Sequence, residues 1–256
     1  MASTALASPA LARDGQWYVE VGGGPMIVQD TEFDLNNGTD TLTVENDTGY
    51  DFGGTVGYDF GAFRLEAEAS YREADIDQID IGAAGVPAGV GPTGIVGRTF
   101  GKTAAAGDMT ALSFMLNGLF DFGDDDGLQG FAGAGIGVAR TDFHASVNSV
   151  GPGVVDDSDS GLAWQLLAGV RAPLSDSWDV GLRYRMFNAE SVNLVDPFGR
   201  DLEGKTRTHS LMGTLTYNFG GAPEPVAPPP PPAPVPVAPP PPAPVPVAPP
   251  PPPPCP

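Results

Sequence analysis

The sequence predicts an all-β fold, an eight-stranded antiparallel up-and-down transmembrane β-barrel followed by a disordered Pro-rich C-terminal tail. Three observations support this: eight segments alternate apolar and polar residues, their connections alternate long and short, and the composition becomes proline-rich after Gly221. Strands of ~9–11 residues match the tilted span of a bilayer. In lipid such strands must close on themselves so that every backbone group is paired.

The clearest element is a hairpin over residues 48–73. Its two runs alternate strictly on either side of a turn at Gly61–Ala62, which is the pattern of paired strands. One face is apolar with aromatic residues at its tips, whereas the other face of the second run carries charges at four of five positions: Arg64, Glu66, Glu68 and Arg72. This polarity is typical of a membrane-spanning strand with lipid outside and a polar lumen inside.

The other strands alternate in the same way. They are predicted at Gln16–Val28, Met109–Phe122, Leu128–Thr141, Ser160–Ala172, Trp178–Ala189 and Thr206–Phe219. Pro25 predicts a bulge or strand end, because proline donates no ladder hydrogen bond. Glycines 133, 135 and 137 share one face and are expected to leave room for long side chains that cross a narrow lumen.

The connections favour an outer-membrane barrel. Residues 29–48, 75–108, 142–159 and 190–205 are predicted as long loops, and residues 61–62, 121–127 and 173–177 as short turns. Short periplasmic turns and longer external loops are typical of such barrels. An even strand number returns both ends of the barrel to the periplasmic side.

The net charge of −20 argues against nucleic acid as a partner, because phosphate binding needs clustered Lys and Arg. Acidic residues concentrate at 30–47, 124–126 and 156–159. These segments are expected to be solvated loops; the alternative is binding of divalent cations, which prefer oxygen ligands. None has the spacing of an EF-hand loop, so no metal site and no cofactor are predicted.

The sequence predicts that the chain has three parts. Residues 1–12 are predicted to be a residual signal peptide, with Ala10-Leu11-Ala12 as its A-x-A cleavage site, or else a disordered N-terminus. Residues 13–221 form the barrel. Residues 222–256 are a polyproline-II hinge, with binding of an SH3-type domain as the less favoured function. The single cysteine, Cys255, lies in this tail and has no internal disulfide partner.

The inward face predicts a network of lumen charges. An eight-stranded barrel is just wide enough for side chains to fill, so charges of both signs are expected to pair and plug it, with Asp179 also inward. We expect an ion pair from Glu66 or Glu68 to Arg183 or Arg185; the alternative is a gated pore of low conductance. The predicted network is Glu20, Arg64, Glu66, Glu68, Arg72, Arg171, Arg183 and Arg185.

Outward aromatic residues predict two interfacial belts. The belt near the short turns comprises Trp17, Tyr58, Phe60, Trp178, Tyr217 and Phe219, and the other comprises Tyr50, Tyr71 and Tyr184. Enzymatic signals are weak. His144 is expected in or beside a loop, and His209 and Ser210 point to opposite faces of a strand, so no catalytic residue is predicted and the protein is expected not to be an enzyme.

Several short motifs occur in a characteristic order: GQWYVEVGGG, GYDFG, GAGIGVAR, AWQLLAGVR and TLTYNF. With the Pro-rich hinge, they resemble the OmpA-like outer-membrane β-barrel proteins over residues 16–256. In that family the hinge leads to a peptidoglycan-binding C-terminal domain. This sequence stops at Cys255–Pro256, about where that domain would begin, so the chain is either a fragment or a naturally short version.

The expected function is that of a structural outer-membrane β-barrel protein that contributes to envelope integrity. The alternatives are a small low-conductance porin for ions or small solutes, and an adhesin that acts through its long external loops. Expected partners are outer-membrane lipid and lipopolysaccharide, with peptidoglycan bound only through the absent C-terminal domain. We expect a monomer in the cell outer membrane with its Pro-rich tail in the periplasm.

Overall fold

The computed structural model describes residues 15–35, 40–87, 90–91, 94–95, 97–123, 127–147, 153–195 and 200–220. All of them belong to the unit Met1–Pro223. The predicted N-terminal segment 1–12, the Pro-rich hinge 222–256 with its Cys255, and the acidic segment 124–126 lie outside the described residues. No helix in the described ranges is long and apolar enough to cross a membrane.

Twelve strands make up the described chain. In order they are β1 (Gln16–Val28), β2 (Thr31–Leu35), β3 (Asp40–Asn46), β4 (Thr48–Asp59), β5 (Phe63–Pro87), β6 (Val90–Gly91), β7 (Gly94–Ile95), β8 (Arg98–Phe122), β9 (Gln129–Val147), β10 (Gly153–Pro173), β11 (Trp178–Val195) and β12 (Asp201–Asn218).

Eight of these strands form a closed ring. β1 pairs with β4, β4 with β5, and β5 with β8. From β8 to β12 each strand pairs with the next, and β12 returns to β1 with Tyr18 opposite Asn218. Every pairing is antiparallel, so the predicted eight-stranded antiparallel up-and-down fold is confirmed. β2 and β3 prolong β1 and β4, since β2 pairs with β12 and β3 with β5.

The strands meet the short turns close to where the sequence predicts. β1 has the predicted bounds, and β4 and β5 are joined by residues 60–62. Gly61 has a φ of 99°, a left-handed conformation that glycine adopts at no steric cost. The Asp59 carboxylate accepts a hydrogen bond of 2.8 Å from the Gly61 amide and holds the turn.

The four predicted long loops are wrong over most of their length. Residues 31–35 and 40–46 form paired strands, and β5 continues to Pro87 while β8 begins at Arg98. The strands β9 to β12 likewise extend beyond residues 141, 160, 189 and 206. His144, expected in or beside a loop, lies in β9. These extensions carry the sheet well past the length that a bilayer requires.

The sequence does not predict these extensions because their polarity is the reverse of that of the predicted strands, which are apolar outside and polar inside. Ile76, Ile79 and Ile81 point inward and are buried, whereas the aspartates between them are exposed. This is the pattern of a sheet in water, with apolar residues inside and charges outside. The bulge or strand end expected at Pro25 is also wrong, because β1 stays in register with β4 through the Pro25–Tyr50 pair.

The interior of the ring has two layers. At the short-turn end the inward side chains are mainly charged or polar, together with a small hydrophobic cluster of Leu119, Phe131 and Leu167, and we call this the charged layer. At the long-loop end they form the apolar layer, a single hydrophobic cluster that includes Met26, Phe33, Ile79, Phe143 and Phe187. Outside the charged layer the ring presents exposed apolar side chains, among them Val21, Phe114, Leu116 and Leu182. The polar lumen expected from the sequence therefore fills only part of the interior.

Candidate functional site

The charged layer is the candidate functional site. Successive residues of a strand point to opposite faces of the sheet, so the strands of the ring contribute their inward charges to the same space. The eight predicted lumen charges all lie there and are buried: Glu20, Arg64, Glu66, Glu68, Arg72, Arg171, Arg183 and Arg185. Arg183 and Arg185 are each only 1% exposed.

Arg183 lies at the centre of this layer. Its Nη2 atom is 2.8 Å from Glu20 Oε1 and 3.0 Å from Glu66 Oε1, and its Nη1 atom is 3.8 Å from Glu68 Oε2. The Tyr18 hydroxyl donates a further hydrogen bond of 2.7 Å to Glu66. Buried charges require this degree of pairing, because an unpaired ion is costly in a low-dielectric interior.

A second cluster lies next to the apolar layer. Arg185 Nη2 is 2.8 Å from Glu68 Oε1, and Arg185 Nη1 donates to the Asp51 carboxylate at 2.9 Å. Asp51 also accepts a 2.6 Å hydrogen bond from the Ser210 hydroxyl. The Arg72 guanidinium lies 3.8 Å from the centre of the Phe187 ring, so a cation–π contact joins the charged layer to the apolar layer.

A third cluster lies at the short-turn end. Arg64 donates from Nε and Nη2 to the two oxygens of Asp121, at 2.8 and 2.9 Å. Arg171 donates to Asp59 at 3.0 Å. The Asn218 amide donates to Asp179 at 2.9 Å. Planar guanidinium groups suit such two-point contacts with carboxylates.

Sequence reasoning missed three members of this network: Asp51, Asp59 and Asp121. Asp51 and Asp59 share the inward face of the hairpin with Thr55, so the alternation that identified Glu66 could have found them. The predicted strand 109–122 and the predicted turn 121–127 overlap at Asp121, which in the structure lies on β8. With them, the layer holds seven carboxylates (Glu20, Asp51, Asp59, Glu66, Glu68, Asp121, Asp179) and five arginines, a formal charge of −2.

Glycine makes room for the long side chains of the layer at Gly57 on β4. A Cβ atom there would lie 2.5 Å from the Tyr18 hydroxyl oxygen, and that hydroxyl is held by Glu66. We expect Gly57→Ala to lower the free energy of unfolding by about 1–3 kcal/mol, the usual cost of overpacking.

Urea titration of the barrel refolded into phosphocholine vesicles measures this effect. Gly54→Ala is the matched control, because Gly54 faces outward on the same strand and a Cβ there has nothing within 4 Å. We expect that control to stay within about 0.5 kcal/mol. Equal losses of unfolding free energy in the two variants would show that the Tyr18 side chain does not require the space beside Gly57.

The aromatic residues of the two predicted belts lie on the outer face of the ring. Near the short turns, rings touch across neighbouring strands, with centroids 5.3 Å apart for Trp17–Tyr58 and 5.0 Å for Trp178–Tyr217. Phe60 and Phe219 continue these rows. Tyr50, Tyr71 and Tyr184 are exposed nearer the long-loop end. Phe63 and Phe120, 5.3 Å apart, extend the first group and were not predicted.

The two histidines lie on the outer face. The Tyr184 hydroxyl and His209 Nδ1 share a hydrogen bond of 2.7 Å, while Ser210 points inward to Asp51. His144 Nε2 lies 3.2 Å from the exposed Asp156 carboxylate. Within the described ranges no group of three or more His, Cys, Asp or Glu side chains is arranged to hold a metal ion.

Comparison with known proteins identifies the fold independently. A family model described as "Outer membrane protein beta-barrel domain" matches residues 1–219. The outer membrane protein OprG from Pseudomonas aeruginosa is similar over 82% of this chain and 98% of its own, at 17% identity and a TM-score of 0.48. No curated protein sequence is similar enough to count as a match.

Two further solved structures show the same likeness. Neisserial surface protein A is similar over 79% of this chain and 97% of its own, at 13% identity and a TM-score of 0.46. The N-terminal β-barrel domain of Pseudomonas aeruginosa OprF is similar over 80% of this chain and 100% of its own, at 14% identity and a TM-score of 0.32. At such identities the likeness concerns the fold and says nothing about activity.

Proposed function

The chain belongs to the outer membrane protein beta-barrel domain family, and on that premise we propose that it is a closed structural barrel that contributes to the integrity of the outer membrane. The observation that supports this proposal is the two-layer interior. The charged layer fills the short-turn end with paired ions, and the apolar layer fills the long-loop end with hydrophobic side chains. An ion that crosses the barrel would have to pass both layers.

The two layers resist passage for different reasons. The charged layer holds its space by ion pairs such as Arg183–Glu66, which must break before a hydrated ion can enter. The apolar layer offers no partner to a charge, and leaving water for such surroundings is costly. Because the layers act in series, either one alone is enough to keep the barrel closed.

Planar-bilayer conductance tests this proposal. We expect no channel above detergent background from the unaltered barrel. Phe33→Ala with Phe143→Ala removes an edge-to-face ring pair, 5.6 Å between centroids, from the apolar layer only. Arg183→Ser with Glu66→Gln removes one pair of opposite charges from the charged layer only. Each double variant is expected to stay silent, and all four substitutions together are expected to conduct.

Heat-modifiable migration in a denaturing gel provides the folding control for every variant, since a closed barrel resists unheated detergent. Stable current steps from the unaltered barrel would contradict the structural proposal and favour the porin. Current from only the Phe33→Ala/Phe143→Ala variant would show that the charged layer is permeable.

A low-conductance porin is the second candidate, and one observation favours it. Arg183 has three glutamates within 3.8 Å, so its guanidinium can exchange one carboxylate for another without becoming unpaired. Such exchange is a route by which a charged layer could open. Its formal charge of −2 would favour cations over anions in an open state.

The proposed surroundings follow from the outer face. The aromatic rows and the exposed apolar side chains between them suit contact with outer-membrane lipid and the lipid part of lipopolysaccharide. Under this proposal the short turns face the periplasm, where the Pro-rich hinge would run, and the barrel is a monomer without enzymatic activity.

A further inference from the structure

We propose that a polar groove on the outer face of the long-loop end binds a saccharide that carries amino groups. The groove has a volume of about 510 Å³ and lies between β2, β11 and β12. It is separate from the lumen and from the lipid-facing apolar surface. The proposal is therefore independent of whether the barrel conducts.

One side of the groove is a row of carboxylates. Glu32 and Asp34 point the same way on β2, about 6.8 Å apart, and Asp30 lies just before that strand. Asp34 is directly opposite Glu203 on β12, a like-charge arrangement that is unfavourable in a sheet. Within the described chain, Glu32, Asp34 and Glu203 form no hydrogen bond or ion pair with another side chain.

The other side of the groove offers donors. Asn188 is only 5% exposed; its Oδ1 atom accepts from Arg207 Nε at 2.7 Å, and its Nδ2 atom has no hydrogen-bond partner among the described residues. A buried amide nitrogen is normally paired. Lys205 Nζ lies 3.0 Å from Glu190, and the Trp164 indole donates to the same carboxylate at 3.0 Å. These two contacts lower the pKa of the Glu190 carboxyl, which keeps it ionised.

The combination of groups selects the ligand class. The carboxylates alone would suit any cation, but the amide nitrogen of Asn188 needs an acceptor. A hydroxyl group both donates and accepts, so a hydroxylated ring can satisfy the two sides together. Five carboxylates against two cationic side chains line the groove, which favours a sugar with amino groups and disfavours an acidic sugar.

The position of the groove fits a sugar at the membrane surface. Ile27, which is opposite His209, is exposed on the apolar outer face. Two residues further along lie Gln29, just past the end of β1, and Arg207 on β12, and both line the groove. The groove thus begins where the apolar surface ends, at the depth of lipid head groups. The sugar can come from a glycolipid head group or from a soluble saccharide.

Isothermal titration of the refolded barrel with a glucosamine trimer tests the proposal. We expect saturable binding, at least fivefold weaker binding of the N-acetylated trimer, and no binding of a galacturonic acid trimer. Asn188→Ala and Glu203→Gln are each expected to weaken binding at least fivefold. Asp156→Asn, which removes an exposed carboxylate from the outer face of β10, is the matched control and is expected to leave binding unchanged.

Three results would overturn the proposal: no saturable binding of the glucosamine trimer, equal binding by Glu203→Gln and the unaltered barrel, or equally tight binding of spermidine, a polycation without hydroxyl groups. The source is distinguished by competition. Displacement of the bound trimer by vesicles that contain an amine-bearing glycolipid points to a head group, whereas displacement by soluble saccharide alone points to a free sugar. Heat-modifiable migration confirms that each variant has folded.

Discussion

Replacing Arg183 by methionine is expected to lower the free energy of unfolding by about 3–5 kcal/mol, the cost of removing one partner of a buried ion pair. Arg183 is the shared partner of Glu20 and Glu66, at 2.8 and 3.0 Å. Methionine fills much of the same space but leaves these carboxylates short of a counter-charge in the charged layer. Urea titration of the barrel refolded into phosphocholine vesicles measures the loss.

Two further variants are compared with Arg183→Met. Arg140→Met removes an arginine that pairs with Asp142 at 3.4 Å but whose side chain is 61% exposed, and we expect a change within about 1 kcal/mol. Adding Glu66→Gln to Arg183→Met removes one of the stranded charges and is expected to recover part of the loss. If Arg183→Met costs no more than Arg140→Met, the charged layer contributes little to stability.

Placing arginine at Leu116 is expected to cost about 2–4 kcal/mol, the penalty for a cation near the bilayer midplane on the lipid face of a β-barrel. Leu116 is 68% exposed and lies between Ala67 of β5 and Ile136 of β9, amid apolar neighbours. In a protein surrounded by water the same substitution would be nearly neutral. Vesicle-based unfolding therefore reports directly on the lipid contact.

Ala106→Arg is the matched control for this substitution. Ala106 is exposed on the same face of the same strand, ten residues nearer the long-loop end. At about 3.3 Å per residue it lies roughly 30 Å away along β8, beyond the hydrocarbon region. We expect a change within about 1 kcal/mol there. Equal costs at the two positions would mean that the apolar outer face of the charged layer does not lie in lipid.

The sequence predicts the membrane-spanning half of the fold well because one physical constraint dominates it. Lipid outside forces every second residue of strands such as β1 and β11 to be apolar, so their alternation is unmistakable. Beyond the membrane that constraint ends, and residues 75–81 obey the opposite rule with isoleucine inside and aspartate outside. Short alanine and glycine stretches such as 104–107 have no polarity contrast at all, which is why β8 was predicted to begin eleven residues too late.

The sequence predicts most of the residues that belong to the candidate site but not which of them pair with each other. Alternation identifies which charges point inward, but register determines which of them meet, and register depends on pairing across all eight strands. Arg183, for example, meets Glu66 although 117 residues separate them. Asp121 is missed because the predicted turn 121–127 includes it, although it lies on β8. The apolar layer is not predicted, because most of its residues, such as Phe33, Ile79 and Phe143, lie in segments that the sequence predicts as loops.

The contact between Arg72 and Phe187 lies where the charged layer meets the apolar layer. The free energies that stabilise these two layers depend on temperature for different reasons. On the long-loop side, opening the ring exposes apolar side chains to water, which raises the heat capacity and makes their stabilisation weaken on cooling. On the other side, opening the ring separates ions, and ionic hydration becomes less favourable as the temperature rises. Both contributions therefore weaken on cooling: that of the apolar layer because the hydrophobic effect fades, and that of the charged layer because hydration of the separated ions becomes more favourable.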